Sequence, residues 1–250
     1  MQHVYNLVRQ KPDDRDYKHR RLAVEKLPPV VDLRSKCSPV YDQGQLGSCT
    51  GNAGAEAAKL TMKLRFPPSR LFLYYAVRVI EGTVESDSGA EMRDVCGALN
   101  KYGICPESYW PYDISKFAKK PTKKAYTSAE KYKIAEYATF DGDTVDDIRQ
   151  IRAYLAKRSM PVLIGMDVYS SFESDEVART GIVPVPDTSA EQYFGGHAVL
   201  ITGYDDTRRV LIVRNSWGEG WGDKGYFYLP YEYVTKKLAY DTWTLSVRKG

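Results

Sequence analysis

The sequence predicts an α+β fold, a helical half followed by an antiparallel, barrel-like β half, and three observations carry it. Between Cys49 and Arg158 the apolar residues recur at helical spacing, with Pro and Gly as stops. From Pro161 to Val247 they gather instead in short β-rich runs separated by Gly and Asp turns. The chain of 250 residues is 43% apolar and shows no internal repeat, which suits one large unit or two fused small ones with a cleft between them.

Taken in order, the first 27 residues have few apolar positions and no period, so by themselves they read as an irregular extension. Leu27-Pro28-Pro29-Val30 marks a boundary, which gives an extension over residues 1–29 and a compact domain over 28–250. Its helical half is expected at about 40–130 and its β half at about 131–250. A buried helix over 49–65 follows from Ala53, Ala55, Ala57, Ala58, Leu60, Met62 and Leu64, and Phe66-Pro67-Pro68 stops it. Ser69 is placed to cap a second helix through Leu71, Leu73, Tyr74, Val77 and Ile80. Ala90 to Tyr102 reads as a third helix ended by Gly103, and Asp146 to Arg158 as a fourth. Strands are expected at 162–164, 198–201, 210–213, 226–228 and 242–247.

Charge excludes some functions. The formal net charge is +4, but residues 1–29 carry seven Lys/Arg against four acids, and residues 116–133 carry seven Lys against one Glu, so the remaining body is acidic. A basic tail and a basic loop are not the continuous basic face with interleaved aromatics that nucleic acid needs, so no nucleic-acid partner is expected. The lysines read as a solvated surface segment. No stretch approaches the ~20 apolar residues of a membrane span, and residues 1–27 show no secretory signal, which leaves the compartment open. Four Cys at gaps of 12, 47 and 9 residues fit neither a disulfide scaffold nor a metal cluster, so no metal site is expected.

Gln43-Gly44-Gln45-Leu46-Gly47-Ser48-Cys49 sets a cysteine after a Gly-containing turn at the expected start of a helix, where free backbone N–H groups and the helix dipole favour a thiolate. Gln43 stands where its amide could meet negative charge developing on an attacked carbonyl, beside the Cys49 N–H. Of the three His, two lie in the polar tail, whereas Gly195-Gly196-His197 opens an apolar strand. Asn215-Ser216-Trp217-Gly218 follows the next strand, and neighbouring antiparallel strands bring His197 and Asn215 side by side. Asn can orient an imidazole without adding a charge, which leaves the thiolate and imidazolium to stabilise each other.

In these motifs the chain resembles the papain-like, cathepsin-like cysteine peptidases, whose signature has His and Asn ~130–150 residues after the Cys. Q-G-Q-L-G-S-C, G-G-H-A-V and N-S-W-G-E-G-W-G stand in the family's order, and the resemblance covers about residues 28–250. It implies a papain fold and peptide-bond hydrolysis on peptide or protein substrates without metal or organic cofactor. Cys49 would be the nucleophile, His197 the base and acid, Asn215 its orienter and Gln43 an oxyanion donor. Trp217 would shield Asn215 and line the leaving-group side. Ser88-Gly89 would pair with extended substrate, and Gly165 and Ala198 would line a roomy second-subsite pocket. Asp241 at the base of that pocket would favour a basic side chain.

The chain also departs from the pattern. Leu46 stands where the family usually has a Cys, so one common disulfide is missing, and Thr50 replaces an aromatic residue. The His pair of a cathepsin-B-like occluding loop is absent, which makes endopeptidase action the expectation. With Cys49 reserved and Cys96 in a helix core, a Cys37–Cys105 disulfide is the expected pair. Residues 1–29 are expected to be a propeptide remnant or a segment that blocks the cleft, as in a zymogen, and a monomer is expected. Two other functions remain: an acyl transferase or ligase using the same triad, and a catalytically silent binding protein that keeps the fold.

Overall fold

The computed structural model describes residues 3–140 and 144–247. In chain order its elements are β1 (Leu7–Val8), β2 (Val30–Asp32), α1 (Cys49–Met62), α2 (Arg70–Glu81), β3 (Ala90–Glu91), α3 (Met92–Lys101), α4 (Lys123–Ala129) and β4 (Glu136–Thr139). There follow α5 (Thr144–Arg158), β5 (Val162–Tyr169), α6 (Asp175–Thr180), β6 (Tyr193–Asp205), β7 (Val210–Arg214), β8 (Tyr226–Pro230), α7 (Tyr231–Thr235) and β9 (Ala239–Ser246).

Local chemistry explains most of the boundaries. Helix α1 is buried along most of its length because its residues are small. A Cβ on Gly51 would lie 2.8 Å from Arg70 O and 2.9 Å from Tyr74 Cβ, so only glycine lets α2 approach this closely. The helix ends at Lys63, in the left-handed region at φ +53°, three residues short of Phe66. Ser69 caps α2 as expected, its side chain accepting from the Phe72 N–H. The lysine-rich run holds a helix that its composition did not suggest. Thr122 caps α4, which turns Ala125 and Ala129 inward and leaves the lysines to solvent.

Seven strands form one sheet in the order β4-β9-β5-β6-β7-β8, with β2 paired to β6, and every pairing is antiparallel. Strand β6 shows why one sheet serves two cores. Ala198 and Leu200 face the helices α1, α2 and α3, while Val199 and Ile201 face α5 and the second cluster around Phe172 and Trp221. The sheet is open among the described residues rather than closed into a barrel, which corrects the barrel-like expectation. Its edges are covered separately: Thr139 on β4 pairs with Tyr17 and His19 of the extension, and Tyr228 on β8 bridges to Ile182.

Candidate active site

The loop before α1 is held from three sides. Gln43 is fully buried, and its backbone N–H donates to Ser216 O (2.8 Å). Its side-chain Oε1 accepts from Ser216 Oγ (2.6 Å), its Nε2 donates to Leu46 O (3.0 Å), and Tyr112 donates to its carbonyl (2.9 Å). The amide orientation follows from the Leu46 carbonyl, which can only accept and so must meet Nε2, leaving the Ser216 hydroxyl to donate to Oε1. The side chain of Ser48, the N-cap of α1, caps no backbone N–H; it contacts Tyr112 and Asn52 instead. Cys49 begins the helix, and the backbone N–H groups of Ala198, Thr50 and Asn6 face its sulfur.

The β6–β7 register sets Leu200 opposite Arg214, which carries His197 and Asn215 to the same end of the hairpin. His197 Nε2 lies 2.8 Å from Asn215 Oδ1, and that oxygen also accepts the Ser216 N–H (2.8 Å). An oxygen already accepting here assigns the proton to Nε2 and leaves Nδ1, which has no partner among the described residues, as the basic nitrogen. Trp217 stacks over the imidazole at 5.1 Å. The backbone N–H of Ala198, the next residue after His197, faces the Cys49 sulfur, while His197 Nδ1 itself makes no hydrogen bond to the thiol. Burial pushes the Cys49 thiol up to about 11 against the pull of those N–H groups, and burial holds His197 down at about 4 against its Asn215 bond. Burial therefore favours the uncharged forms of both groups and disfavours the thiolate–imidazolium pair expected of an open site.

The N-terminal extension runs through the cleft and covers these groups. His3 stacks on Trp217 with ring centroids 3.6 Å apart and sits 3.1 Å from Glu173. Tyr5 donates to Glu173 and meets His197 edge-on at 5.8 Å. Asn6 bridges to Gly196, and its Nδ2 donates to Asp87 O (2.8 Å). Leu7 is buried against Gly165 and Tyr240, and β1 pairs in parallel with β3. Beyond the cleft, the Arg9 guanidinium lies over Tyr240 (4.0 Å), Gln10 N–H donates to Asp241 (3.0 Å), and Asp16 pairs with Arg93 (2.7 Å). With this segment in place, Gln43, Cys49 and His197 are all 0% exposed.

The structure brings most of the sequence-derived residues to this cleft. Gly89 sits at φ +72° and so close to the segment that a Cβ there would overlap Asn6 O. Ser88 is exposed beside it, Gly165 floors the Leu7 pocket, and Ala198 and Trp217 flank the triad. Asp241 stands elsewhere. Gly165 lies opposite Tyr240 and Leu163 opposite Trp243, so β9 carries an extra residue there. Asp241 takes φ +51° in this bulge, which presents Tyr240 to the pocket and spends the carboxylate on Gln10. Burial raises Asp241 to about 6, against the Gln10 hydrogen bond. The expected Cys37–Cys105 bridge is not formed: all four Cys are free. Cys37 is near Glu56 and Tyr226, whereas Cys105 lies beside Ser69 in the helical half. Sequence reasoning gave no role to Ser216, although it stands inside the Asn215 motif, and missed Glu173, Tyr240, Tyr74 and Asp87, which belong to no motif. Among the described residues no cluster of three His, Cys, Asp or Glu could hold a metal, and no helix is long and apolar enough to cross a membrane.

A helix-borne thiol, a strand-borne imidazole and an orienting amide across an α+β cleft define a class of thiol hydrolase. The chain belongs to the papain family of cysteine proteases, whose family model matches residues 27–240. It is similar over 98% of its length to xylellain, a cysteine protease from Xylella fastidiosa, with 39% identity, 96% of that chain covered and a TM-score of 0.89. An uncharacterized peptidase C1-like protein of Acanthamoeba polyphaga mimivirus is 43% identical over 87% of this chain and 72% of its own length. Cysteine proteinase 3 of Entamoeba histolytica is 28% identical over 84% of this chain and 65% of its own. The protein is a cysteine peptidase, and its substrates are peptides or proteins.

Proposed function

We propose that the chain is a thiol endopeptidase in a latent form, with Cys49 as nucleophile and residues 1–29 as its inhibitory segment. Once the segment leaves, His197 Nδ1 takes the thiol proton and the sulfur attacks a peptide carbonyl. Negative charge on the carbonyl oxygen is met by the Cys49 N–H and by Gln43 Nε2. The C–N bond breaks as His197 returns the proton to the leaving amine, which gives a Cys49 thioester. Water, deprotonated by the same imidazole, attacks the thioester, and the sulfur leaves with the acid product and regains its proton. The observation that carries this reading is His197 oriented by Asn215 at 2.8 Å on the strand whose Ala198 N–H reaches the Cys49 sulfur.

Chain direction explains how a peptide can lie in the site uncut. A substrate's leaving amine lies on the Trp217 side and its preceding residues lie in the Gly165 pocket. The extension runs the other way, from His3 on Trp217 through Asn6 to Leu7 in that pocket. Its peptide groups therefore meet the sulfur with reversed polarity. An epoxysuccinyl thiol-protease probe, followed by mass mapping, tests the reading in the full chain and in the Leu7→Asp variant. Labelling at Cys49 that is at least tenfold faster in the variant is expected. Absence of labelling in both would favour a silent binding protein, and amide products formed from added amines would favour a transferase.

A further inference from the structure

Asp87 has no place in the mechanism above, yet three segments of the site converge on it. Its Oδ2 accepts the Gly47 N–H (2.8 Å), two residues before the nucleophile. Its Oδ1 accepts the Tyr74 hydroxyl (2.5 Å) from the fully buried middle of α2. That same hydroxyl accepts the Gly89 N–H (3.2 Å), from the residue that leads into β3 beside the cleft. The main-chain oxygen of Asp87 takes the Asn6 side chain of the blocking segment (2.8 Å). No disulfide holds either the loop or the Gly89 segment, since all four cysteines are free.

We propose that Asp87 is a positioning residue. Through Gly47 it fixes the Cys49 loop, and through Tyr74 it fixes the Gly89 segment that leads into β3, so that nucleophile and substrate backbone keep one spacing. The inference rests on the peptidase reading. Ser216 and Tyr112 hold the Gln43 end of the loop and Asp87 holds Gly47, close to the nucleophile, where a displacement of about 1 Å can cost ~100-fold in rate. The carboxylate also faces the thiol electrically and opposes the thiolate. The other charged or titratable groups around this cluster are Arg78 and Tyr74 on α2, Tyr112 against the Cys49 loop, His197 on β6, and Glu173 with His3 and Tyr5 beyond His197. Arg78 is attracted to Asp87 and stays with it when the segment leaves.

The test uses the full chain carrying Asn6→Gly and Leu7→Gly, which loosens the segment, as the parent for Asp87→Asn, Asp87→Ala and Tyr74→Phe. Asn keeps one acceptor and Ala keeps none, so kcat should fall in the order parent, Asn, Ala, by about 10- to 100-fold at the end of the series. Both substitutions remove the charge, so both should move the acid limb of kcat/KM, and of iodoacetamide alkylation mapped to Cys49, to lower pH by the same amount. Tyr74→Phe frees Gly89 and should raise KM more than it lowers kcat. Should Asp87→Ala fail to fold, Asp87→Asn and Tyr74→Phe decide. Folded variants within twofold of the parent, or a loss of activity with an unmoved acid limb, would overturn the proposal. A parent whose Cys49 does not react with the epoxysuccinyl probe would instead overturn the peptidase reading, and with it any nucleophile for Asp87 to position.

Discussion

Gln43 braces the loop before Cys49 and, in the proposed mechanism, donates to the oxyanion. Its carbonyl end is held by Ser216 Oγ, so its Nε2 faces the loop without rotamer freedom to lose during reaction. Gln43→Ala should lower kcat by about 100-fold, because it removes the proposed oxyanion donor together with the bonds to Leu46 O and Ser216 Oγ that brace the loop. Steady-state kinetics on a peptide substrate with the segment displaced would check this. The groups proposed to carry the chemistry were legible in the sequence because each is flagged by its neighbours: a Gly turn before Cys49, a Gly pair before His197, a Trp after Asn215. Asp241 and the Cys37–Cys105 pair were not. A one-residue bulge in β9 decides which of Tyr240 and Asp241 meets the pocket, and nothing local marks that bulge. Counting cysteines says nothing of the distance between their Cα atoms, which a disulfide restricts to about 4.4–6.8 Å.

The blocking segment is an element whose hold depends on opposed proton equilibria. His197 is held at about 4 in the closed form, below the usual imidazole value, so its contribution to closure is present above about 6.5 and lost as pH falls toward 4. Glu173 acts in the same direction. Burial raises it, but hydrogen bonds from His3 and Tyr5 outweigh burial and leave it low, so its contribution also fades in acid. Asp241 acts in the opposite direction. At about 6 in the closed form, it favours closure at low pH and loses that contribution as pH rises through 6. The two large shifts nearly cancel between pH 7 and 5, so hydrogen exchange over residues 5–8, corrected for intrinsic rates, should change little in the native chain. Asp241→Asn keeps an acceptor for the Gln10 N–H and removes the opposing term. Exchange there should then rise about tenfold or more from pH 7 to pH 5. Composition marked this element only as an extension, because a two-residue strand and scattered side-chain contacts leave no period to read.

Across the whole molecule, the helical half and the sheet are tied by a buried ion pair that also bears on the site. Glu56 on α1 and Arg214 at the end of β7 are essentially unexposed and 3.8 Å apart. Arg214 donates to Ser38 O and Pro39 O (2.7 Å each), and the Ser38 N–H donates to Glu56 (2.8 Å). Truncating one partner strands a buried charge, so Glu56→Ala should destabilise the fold by about 3–5 kcal/mol, measurable by urea denaturation. The α+β division, the helices capped at Ser69 and stopped near Phe66, the five main strands and the order of the chemical groups were all set by local pattern, since period, caps and turns act over a few residues. Closure of the site was decided only in three dimensions. Which residue faces the pocket, whether the cysteines join, which carboxylate holds the loop and where the extension lies all depend on contacts between residues far apart in the chain, whose energies no short window of sequence contains.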